Sequence, residues 1–279
     1  MRILILLVSF ILVGSCHETG VKTSRSPILF SMALPKMIDE TSGLEFWDKA
    51  FITHNDSGDE ARLYRFSSEG KLLEVITIPD AQNNDWEDLA KDQNYFYIAD
   101  SGNNKGNRKN LSILIVDPQN DFQKMGEIRF RYAAQQNFNK RNQHPFDAEA
   151  LIATADVLLL FSKNRDNLST QLYSLPKTPG EYSLSPLISL EVESIITGAD
   201  YRADLQLVAL VGYNAATEQF LYTLNHFDLN HLEGISLKKI KLPLDGKQIE
   251  AIKIIDQNSF WITSENEGNS NPMLYKIKI

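Results

Sequence analysis

Apolar and polar residues follow one another in short runs along nearly all of this chain, and helical spacing never persists beyond a turn or two. The runs are rich in leucine, β-branched and aromatic residues and end at Gly, Pro, Asn or Asp, which is typical of strands joined by turns. One arrangement occurs five times: a small or acidic residue, a small residue and an apolar residue, followed by further strands. The five starting residues are Ser42, Glu87, Glu149, Gly198 and Glu250.

The spacing of these repeats predicts a β-propeller. Successive starting residues are 45, 62, 49 and 52 residues apart, and a four-stranded propeller blade takes about 40 to 50 residues. The last repeat stops after its third strand, at Ile279, whereas the strand-like run 28–34 has no repeat of its own. We therefore predict an all-β, five-bladed β-propeller in which this N-terminal strand completes the last blade and removes its open edge. A six-bladed propeller is the alternative, because residues 133–146 in the longest interval show no clear pattern.

The N-terminus predicts a membrane anchor. Met1 and Arg2 precede an apolar run over residues 3–13, which is too short to span a bilayer. Small residues then stand directly before Cys16, and this arrangement resembles bacterial lipoprotein signals. The resemblance implies a signal peptide over 1–15 and a lipidated Cys16. The polar residues that follow, with glycine and serine, predict a flexible tether over 16–26, and the repeats predict a propeller over 27–279. It also implies an extracytoplasmic protein held at an outer membrane or cell surface; a cleaved signal with an incidental cysteine is the alternative.

Charge and cysteine content limit the kinds of binding site and partner that the protein can have. The chain has 279 residues, a net charge of −8 and a single cysteine. The domain after Cys16 therefore has no disulfide and no thiolate metal site. The acidic balance disfavours nucleic-acid polymers and anionic membrane surfaces as partners, because both require a basic face. We expect a monomer that attracts cations.

The repeat places glutamates at the centre of the ring. In an up-and-down blade the inner strand begins beside the central channel, so Glu87, Glu149 and Glu250 converge there. Like charges at short range must take up protons or bind a cation. A ring of oxygen ligands suits Ca²⁺, so we predict a calcium site. The alternative is that these glutamates only accept hydrogen bonds from neighbouring blades.

The blade number, the closing strand and this ring resemble the calcium-activated nucleotidase (apyrase) propellers, and also phytase-like secreted propellers. The strings WEDLA at 86–90 and IEAI at 249–252 carry the local likeness. In the apyrases, Ser, Glu, Glu, Ser and Glu surround a central Ca²⁺. The resemblance therefore implies a metal ring of Ser42, Glu87, Glu149, Gly198 and Glu250. Gly198 departs from the pattern, since only its carbonyl or the neighbouring Thr197 could contribute.

The turns beside the ring supply further candidate groups. Candidates for catalysis, as positioners of a metal-bound water or as a general base, are Asp56, Asp100 and His54. Candidates for binding an anionic ligand are Lys163, Arg165, Arg108 and Tyr213. The competing interpretation is that these residues serve turn geometry only.

Two functions are consistent with the sequence. One is a Ca²⁺-containing propeller that binds a small anionic ligand and acts as a hydrolase of phosphate esters or nucleotides. The other is a non-catalytic lipoprotein that recognises a protein or glycan on the propeller face. Because propellers host both classes, the fold alone does not choose between them.

Overall fold

Five β-sheets, arranged in sequence order around one axis, form the computed structural model of this protein, which describes residues 27–266, 268 and 270–279. Four sheets have four strands and one has five. The protein is a five-bladed β-propeller, as the repeat predicts. The signal peptide and tether predicted before residue 27 lie outside the described residues.

The innermost strand of each blade lies against the central channel. These strands are β2 (Thr41–Trp47), β6 (Trp86–Lys91), β10 (Ala148–Ala153), β15 (Ile195–Arg202) and β19 (Ile249–Asp256). Each packs against the inner strand of the next blade, and β19 packs against β2 to complete the ring. The starting ends of the five inner strands therefore meet at one end of the channel, and this arrangement positions the candidate functional site.

The middle strands of each blade are covered on both faces by neighbouring blades. The second strands are β3 (Ala50–Asn55), β7 (Phe96–Asp100), β11 (Val157–Ser162), β16 (Leu207–Tyr213) and β20 (Ser259–Ser264). The third strands are β4 (Arg62–Phe66), β8 (Leu111–Asp117), β12 (Ser169–Pro176), β17 (Gln219–Leu224) and β21 (Met273–Lys278). Every residue of β3 and β7 is buried, including the polar residues Thr53, His54 and Asn55 at the end of β3.

The outer strands are the most exposed strands of the blades because they meet water. They are β5 (Leu72–Thr77), β9 (Gln123–Tyr132), β14 (Ile188–Glu191), β18 (Lys238–Leu242) and β1 (Ile28–Ala33). β1 pairs antiparallel with β21 in the last blade, with Ser31 opposite Tyr275. The predicted closure by the N-terminal strand is confirmed.

The longest repeat interval contains no sixth blade. Residues 133–146 form a loop without strands, so the six-bladed alternative is wrong. One strand was not predicted: β13 (Gly180–Leu184) leaves blade 3 and adds to the edge of blade 2, parallel to β9. A short 3-10 helix over Ala203–Leu205 is an exception to the all-β fold.

The core is divided into five apolar clusters, one at each interface between neighbouring blades in the described residues. Between blades 2 and 3, for example, Ile113 packs in the same cluster as Leu160 and Tyr173. Each blade is therefore stabilised chiefly by its neighbours, and the ring must close to bury all five interfaces.

An ion cluster joins the inner strands at the end of the channel away from their starting residues. Lys253 Nζ lies 2.7 Å from Glu45 Oε1 and 2.8 Å from Asp200 Oδ1, and all three residues are largely buried. The cluster ties blade 5 to blades 1 and 4. In the described part of the chain, no helix is long and apolar enough to cross a membrane.

Candidate functional site

Three equivalent positions in each blade face the upper end of the channel, where the inner strands begin. Backbone hydrogen bonds define them: the amide of Lys163 donates to the carbonyl of Asp147 (2.8 Å), and that of Glu265 donates to Gln248 (3.0 Å). The turn after the second strand is thereby fixed beside the residue that precedes the inner strand. In each blade, the ring residue, the residue just before the inner strand and the turn residue after the second strand therefore lie close together.

The ring position coincides with a β-bulge. The pairing registers shift at Glu87, Glu149 and Glu250, and in blade 4 the shift falls at Thr197. Thr197, rather than Gly198, is therefore the structural equivalent of the glutamates. Gly198 is the next residue along, where a Cβ atom would lie 2.7 Å from the carbonyl oxygen of Glu250.

Asp56, Asp85 and Glu87 form the first acidic group. One carboxylate oxygen from each lies within 4.8 Å of the others. Burial, and then the charge of Asp56, raise the pKa of Asp85 to about 7. Burial, Glu149 and Asp56 raise the pKa of Glu87 well above its usual value. Buried oxygens of Glu87 (Oε1) and Asp56 (Oδ1) have no hydrogen-bond partner among the described residues.

The second acidic group shares Glu87 and adds Asp147 and Glu149, again within 4.8 Å. Here cationic side chains are already present. Lys163 Nζ donates to Glu149 Oε2, and the guanidinium of Arg165 lies 3.3 Å from Asp147 Oδ2 and 3.6 Å from Glu149 Oε1. Buried acidic groups that could hold a metal ion are thus present, but the second is largely neutralised by the protein itself.

Lys163 reaches into the ring rather than out to the rim. Its side chain is 7% exposed. Burial opposes its charge, but Glu149 and then Glu250 raise its pKa well above the usual value. Its ammonium lies 5.8 Å from the centre of the Tyr213 ring. Lys163 is therefore a buried counter-ion for the glutamates.

Glu250 and Glu265 add further negative charge on the blade 5 side. Burial raises the pKa of Glu250 well above its usual value, and burial followed by the charge of Asp56 raises that of Glu265 to about 7. Gln248 donates to Glu265 at 2.6 Å. At neutral pH the cluster therefore retains protons unless a cation enters.

Arg108 and Asp100 form an ion pair at the blade 2 side of the cluster. Arg108 Nη2 lies 2.7 Å from Asp100 Oδ1, and its Nη1 lies 4.0 Å from Asp85 Oδ2. Asn84 also donates to Asp100, at 2.6 Å. Asp100 is therefore held by two partners, while Arg108 extends along the edge of the first acidic group.

The candidate base His54 is fully buried, with Trp86 5.7 Å away in an edge arrangement. Its Nδ1 lies 3.0 Å from the carbonyl oxygen of Asn55. Burial lowers the pKa of His54 to about 4. The imidazole is therefore neutral at physiological pH and packs between blades 1 and 2.

The hydroxyl groups of the ring link neighbouring blades. Ser42 Oγ donates to the carbonyl of Glu87, and Thr197 Oγ1 donates to the carbonyl of Ile249 at 2.5 Å. One step deeper in the channel, Asp88 accepts hydrogen bonds from Leu151 (2.7 Å) and Ala199 (3.3 Å). A single carboxyl group thereby connects blades 2, 3 and 4.

Three acidic residues of the cluster were not singled out from the sequence: Asp85, Asp147 and Glu265. A signal for two of them exists, because Asp-x-Glu occurs at 85–87 and again at 147–149. Residues two apart on a strand point to the same side, so the aspartates accompany the ring glutamates. Glu265 is visible only as a turn residue, and its nearness to Asp56 depends on ring closure.

Comparison with known proteins identifies the fold. No protein-family model matches the chain, and no curated protein matches its sequence. A glutaminyl cyclase from Myxococcus xanthus is similar in structure, with a TM-score of 0.55 and 11% identity over 90% of this chain and 94% of that one. A glucose dehydrogenase is similar at a TM-score of 0.50 and 11% identity, over 90% and 99%. An exo-β-1,3-galactanase from Phanerochaete chrysosporium gives 0.53 and 10% identity, over 88% and 62%. At these identities the likeness concerns the propeller architecture alone.

Proposed function

We propose that this protein binds Ca²⁺ at Asp56, Asp85 and Glu87, and uses the site to hold a small anionic ligand. The single observation that carries the proposal is the pair of buried carboxylate oxygens without partners, on Glu87 and Asp56. Such oxygens are costly unless a proton or a cation satisfies them. Carboxylate oxygens in a flexible arrangement are what Ca²⁺ prefers.

The location differs from the axial ring that the apyrase resemblance implies. In that ring Glu149 is paired with Lys163, and Glu250 lies close enough to Lys163 to raise its pKa. An ammonium group therefore supplies positive charge where the resemblance would put the metal. Among the described residues, the ion pair that reaches the first acidic group is that of Arg108, at 4.0 Å from Asp85. Lys163 also acts on Asp56, but its ammonium is bound to Glu149, so the first acidic group has the greater need of a cation.

A bound Ca²⁺ would supply a point of attachment for a phosphate or carboxylate oxygen. Arg108 is the cationic side chain of this chain that stands beside the group, 16% exposed, and it could hold a second oxygen of the ligand. Glu265, which is not among the proposed ligands and has a pKa near 7, could exchange a proton at neutral pH. We propose phosphate esters or nucleotides as the ligand class, with hydrolysis as an activity to be assayed.

We also propose that lipid on Cys16 anchors the propeller at the outside of a membrane. The support is the short apolar run and the small residues before this cysteine, the only one in the chain. An acyl anchor provides attachment without a spanning helix. The anchored propeller would then bind its ligand outside the cytoplasm, with Ca²⁺ in the proposed site.

Calorimetric titration of chelator-treated protein with Ca²⁺ tests the proposal. We expect one site, with Asp56→Asn and Asp85→Asn each weakening it about tenfold or more because each removes a charged ligand. Asp156→Asn is the matched control, since Asp156 is exposed in the turn at the opposite end of blade 3's inner strand. Equal calcium binding by all four proteins would contradict the site. Phosphate release from a nucleotide panel, with and without Ca²⁺, then separates a hydrolase from a binding protein.

A further inference from the structure

Two loops on blades 2 and 3 form a surface whose charge is opposite to that of the whole protein. Residues 101–110 and 133–146 together contain five basic residues and no acidic residue, in a chain with a net charge of −8. The loops pack on each other, and the amide of Arg141 donates to the carbonyl of Lys105 at 2.9 Å. We name this pair of loops the basic cap. The first loop contains three of the basic residues and the second contains two, and folding brings them together on one surface.

The exposed chemistry of the basic cap is cationic and rich in amides. Lys105, Lys109 and Lys140 are exposed, and the two loops also carry ten asparagine and glutamine residues. The ammonium of Lys109 lies 5.0 Å from the centre of the Phe138 ring. Among the described residues, no carboxylate forms an ion pair with Lys109 or Lys140. These charges are therefore available to a ligand.

A groove of about 930 Å³ continues this surface down the side of blade 2. It is lined by Lys109 and Asn110 of the basic cap, by Arg129 and Arg131 of β9, by Tyr182 of β13 and by Gln82. Its size lies within the range of small-molecule sites, about 300 to 1,000 Å³. Cap and groove share Lys109 and Asn110, so they form one continuous surface.

Charge inside the groove is mixed, and part of it is already paired. Arg129 lies 3.0 Å from Glu127, which also pairs with Lys124. Arg131 is exposed and has no ion-pair partner in the described part of the chain. Glu181, Asp80 and Asp100 line the groove as well, and Asp100 is paired with Arg108. A densely charged polyanion would meet repulsion here, whereas a ligand with a few separated negative groups would not.

We propose that the groove and the basic cap bind an anionic oligosaccharide. Sugar hydroxyl groups match the amides of Asn110 and Gln82, and carboxylate or phosphate substituents match Lys109 and Arg131. Tyr182 offers a half-buried aromatic side chain against which a sugar ring can pack. The groove borders the proposed calcium site through Asn84 and Asp100, but Lys109 and Arg131 are not residues of that site. Sugar binding by these two side chains does not require calcium at Asp56, Asp85 and Glu87.

The test measures binding of defined probes to the full protein by fluorescence polarisation. The anionic probes are a hexasaccharide of alternating glucuronic acid and N-acetylglucosamine, which carries a carboxylate on every second sugar, and a mannose pentasaccharide with one phosphate; cellohexaose is the neutral probe. We expect at least one anionic sugar to bind, the neutral sugar to bind far more weakly, and added salt to reduce binding. In the double variant Lys109→Gln, Arg131→Gln, affinity should fall about tenfold or more.

Lys238→Gln is the matched control, because Lys238 is an exposed lysine on the outer strand of blade 4; it should leave binding unchanged. Thermal melting and calcium titration of the double variant should match the original protein, which separates this site from the proposed calcium site. The proposal is overturned if neither anionic sugar binds at millimolar concentration or if the double variant binds as the original does. It also fails if phosphatidylglycerol vesicles or a hexaglutamate peptide bind the same residues more tightly, since these would identify a lipid or a peptide surface.

Discussion

Gly102 lies directly against the carboxylate of Glu87. A Cβ atom at position 102 would overlap Glu87 Oε1 and come within 2.4 Å of the carboxyl carbon of Asp85. The turn that follows β7 thus needs a glycine because two buried carboxyl groups occupy the space of a side chain. This packing holds Glu87 and Asp85 side by side.

Replacement of Gly102 should therefore disturb the calcium site more than the fold. We expect Gly102→Ala to displace Glu87 or Asp85 and to weaken calcium binding about tenfold or more, since ligand position determines affinity. Calcium titration measures this effect. Gly234→Ala is the control for loss of a turn glycine, because Gly234 lies in the loop between β17 and β18 and not next to a proposed calcium ligand. Its φ of +74° makes an alanine strained, but no atom lies within 4 Å of a Cβ there, so it tests whether strain in a turn by itself changes calcium affinity. Unaltered calcium affinity in Gly102→Ala would show that the two carboxylates do not bind the ion.

Replacing each of two ring glutamates with glutamine should change the stability of the metal-free protein in opposite directions. Burial and the charges of Glu149 and Asp56 disfavour the ionised form of Glu87, so Glu87→Gln should raise the melting temperature, most clearly at alkaline pH. Glu149 is paired with Lys163, so Glu149→Gln should leave a buried ammonium without its partner and cost roughly 3 to 5 kcal/mol. Melting curves recorded with chelator compare the two. The assignment of Lys163 as an internal counter-ion fails if both variants are stabilised.

The metal-free protein should lose stability as the pH rises from about 4 to about 8. Burial raises the pKa of Asp85 and of Glu265 to about 7, so the folded state binds more protons than the unfolded state within this window. Each group's contribution is fully present below its unfolded pKa and is lost as the pH passes its folded pKa. His54, with its pKa lowered to about 4, acts in the opposite direction below about pH 6.5.

Saturating Ca²⁺ should largely remove this pH dependence near neutrality, because the ion replaces the protons. At a hundredfold excess over Kd it adds about 2.7 kcal/mol to the free energy of unfolding. Urea unfolding at several pH values, with calcium and with chelator, provides the measurement. A metal-free protein that is most stable at pH 8 would contradict the raised pKa values.

Removal of β1 should open the ring. Its residues complete the last blade, and Leu34 donates to the carbonyl of Pro272 at 2.8 Å just after the strand. Deleting residues 28–34 leaves β21 as an unpaired edge, so we expect a marked fall in melting temperature and a tendency to aggregate. Leu29→Ala serves as the control, since Leu29 is 57% exposed and should matter little. Identical melting curves would exclude a role for β1 in closure.

Cys16→Ala should release the protein from membranes. A lipid on this residue would be the main apolar attachment, so the variant is expected in the soluble fraction or as an unprocessed precursor. Cell fractionation and mass spectrometry of the N-terminus measure the two outcomes. A processed variant that still sediments with membranes would rule out the anchor.

The repeat in the sequence determined the blades, their order and the closing strand. Strand patterns and turn residues are local, and a period near that of one blade permits few other folds, so Glu87, Glu149 and Glu250 could be assigned to equivalent positions. The sequence also contained the Asp-x-Glu signal at 85–87 and 147–149. The sequence did not reveal the bulge that makes Thr197 equivalent to these glutamates, because a one-residue shift in register leaves the hydrophobic pattern of a short buried strand almost unchanged.

Only the tertiary structure decided which charges meet. The sequence places Lys163 in a turn after a second strand and so predicts a residue on the rim, yet the narrow ring brings its ammonium close to Glu149 and Glu250. Residues 101–110 and 133–146 each carry a modest positive charge, and their packing creates a basic surface that the net charge of −8 does not predict. The physical reason is the same in both cases: ion pairs and surface potential depend on distances through space between blades, and these distances are set when the ring closes.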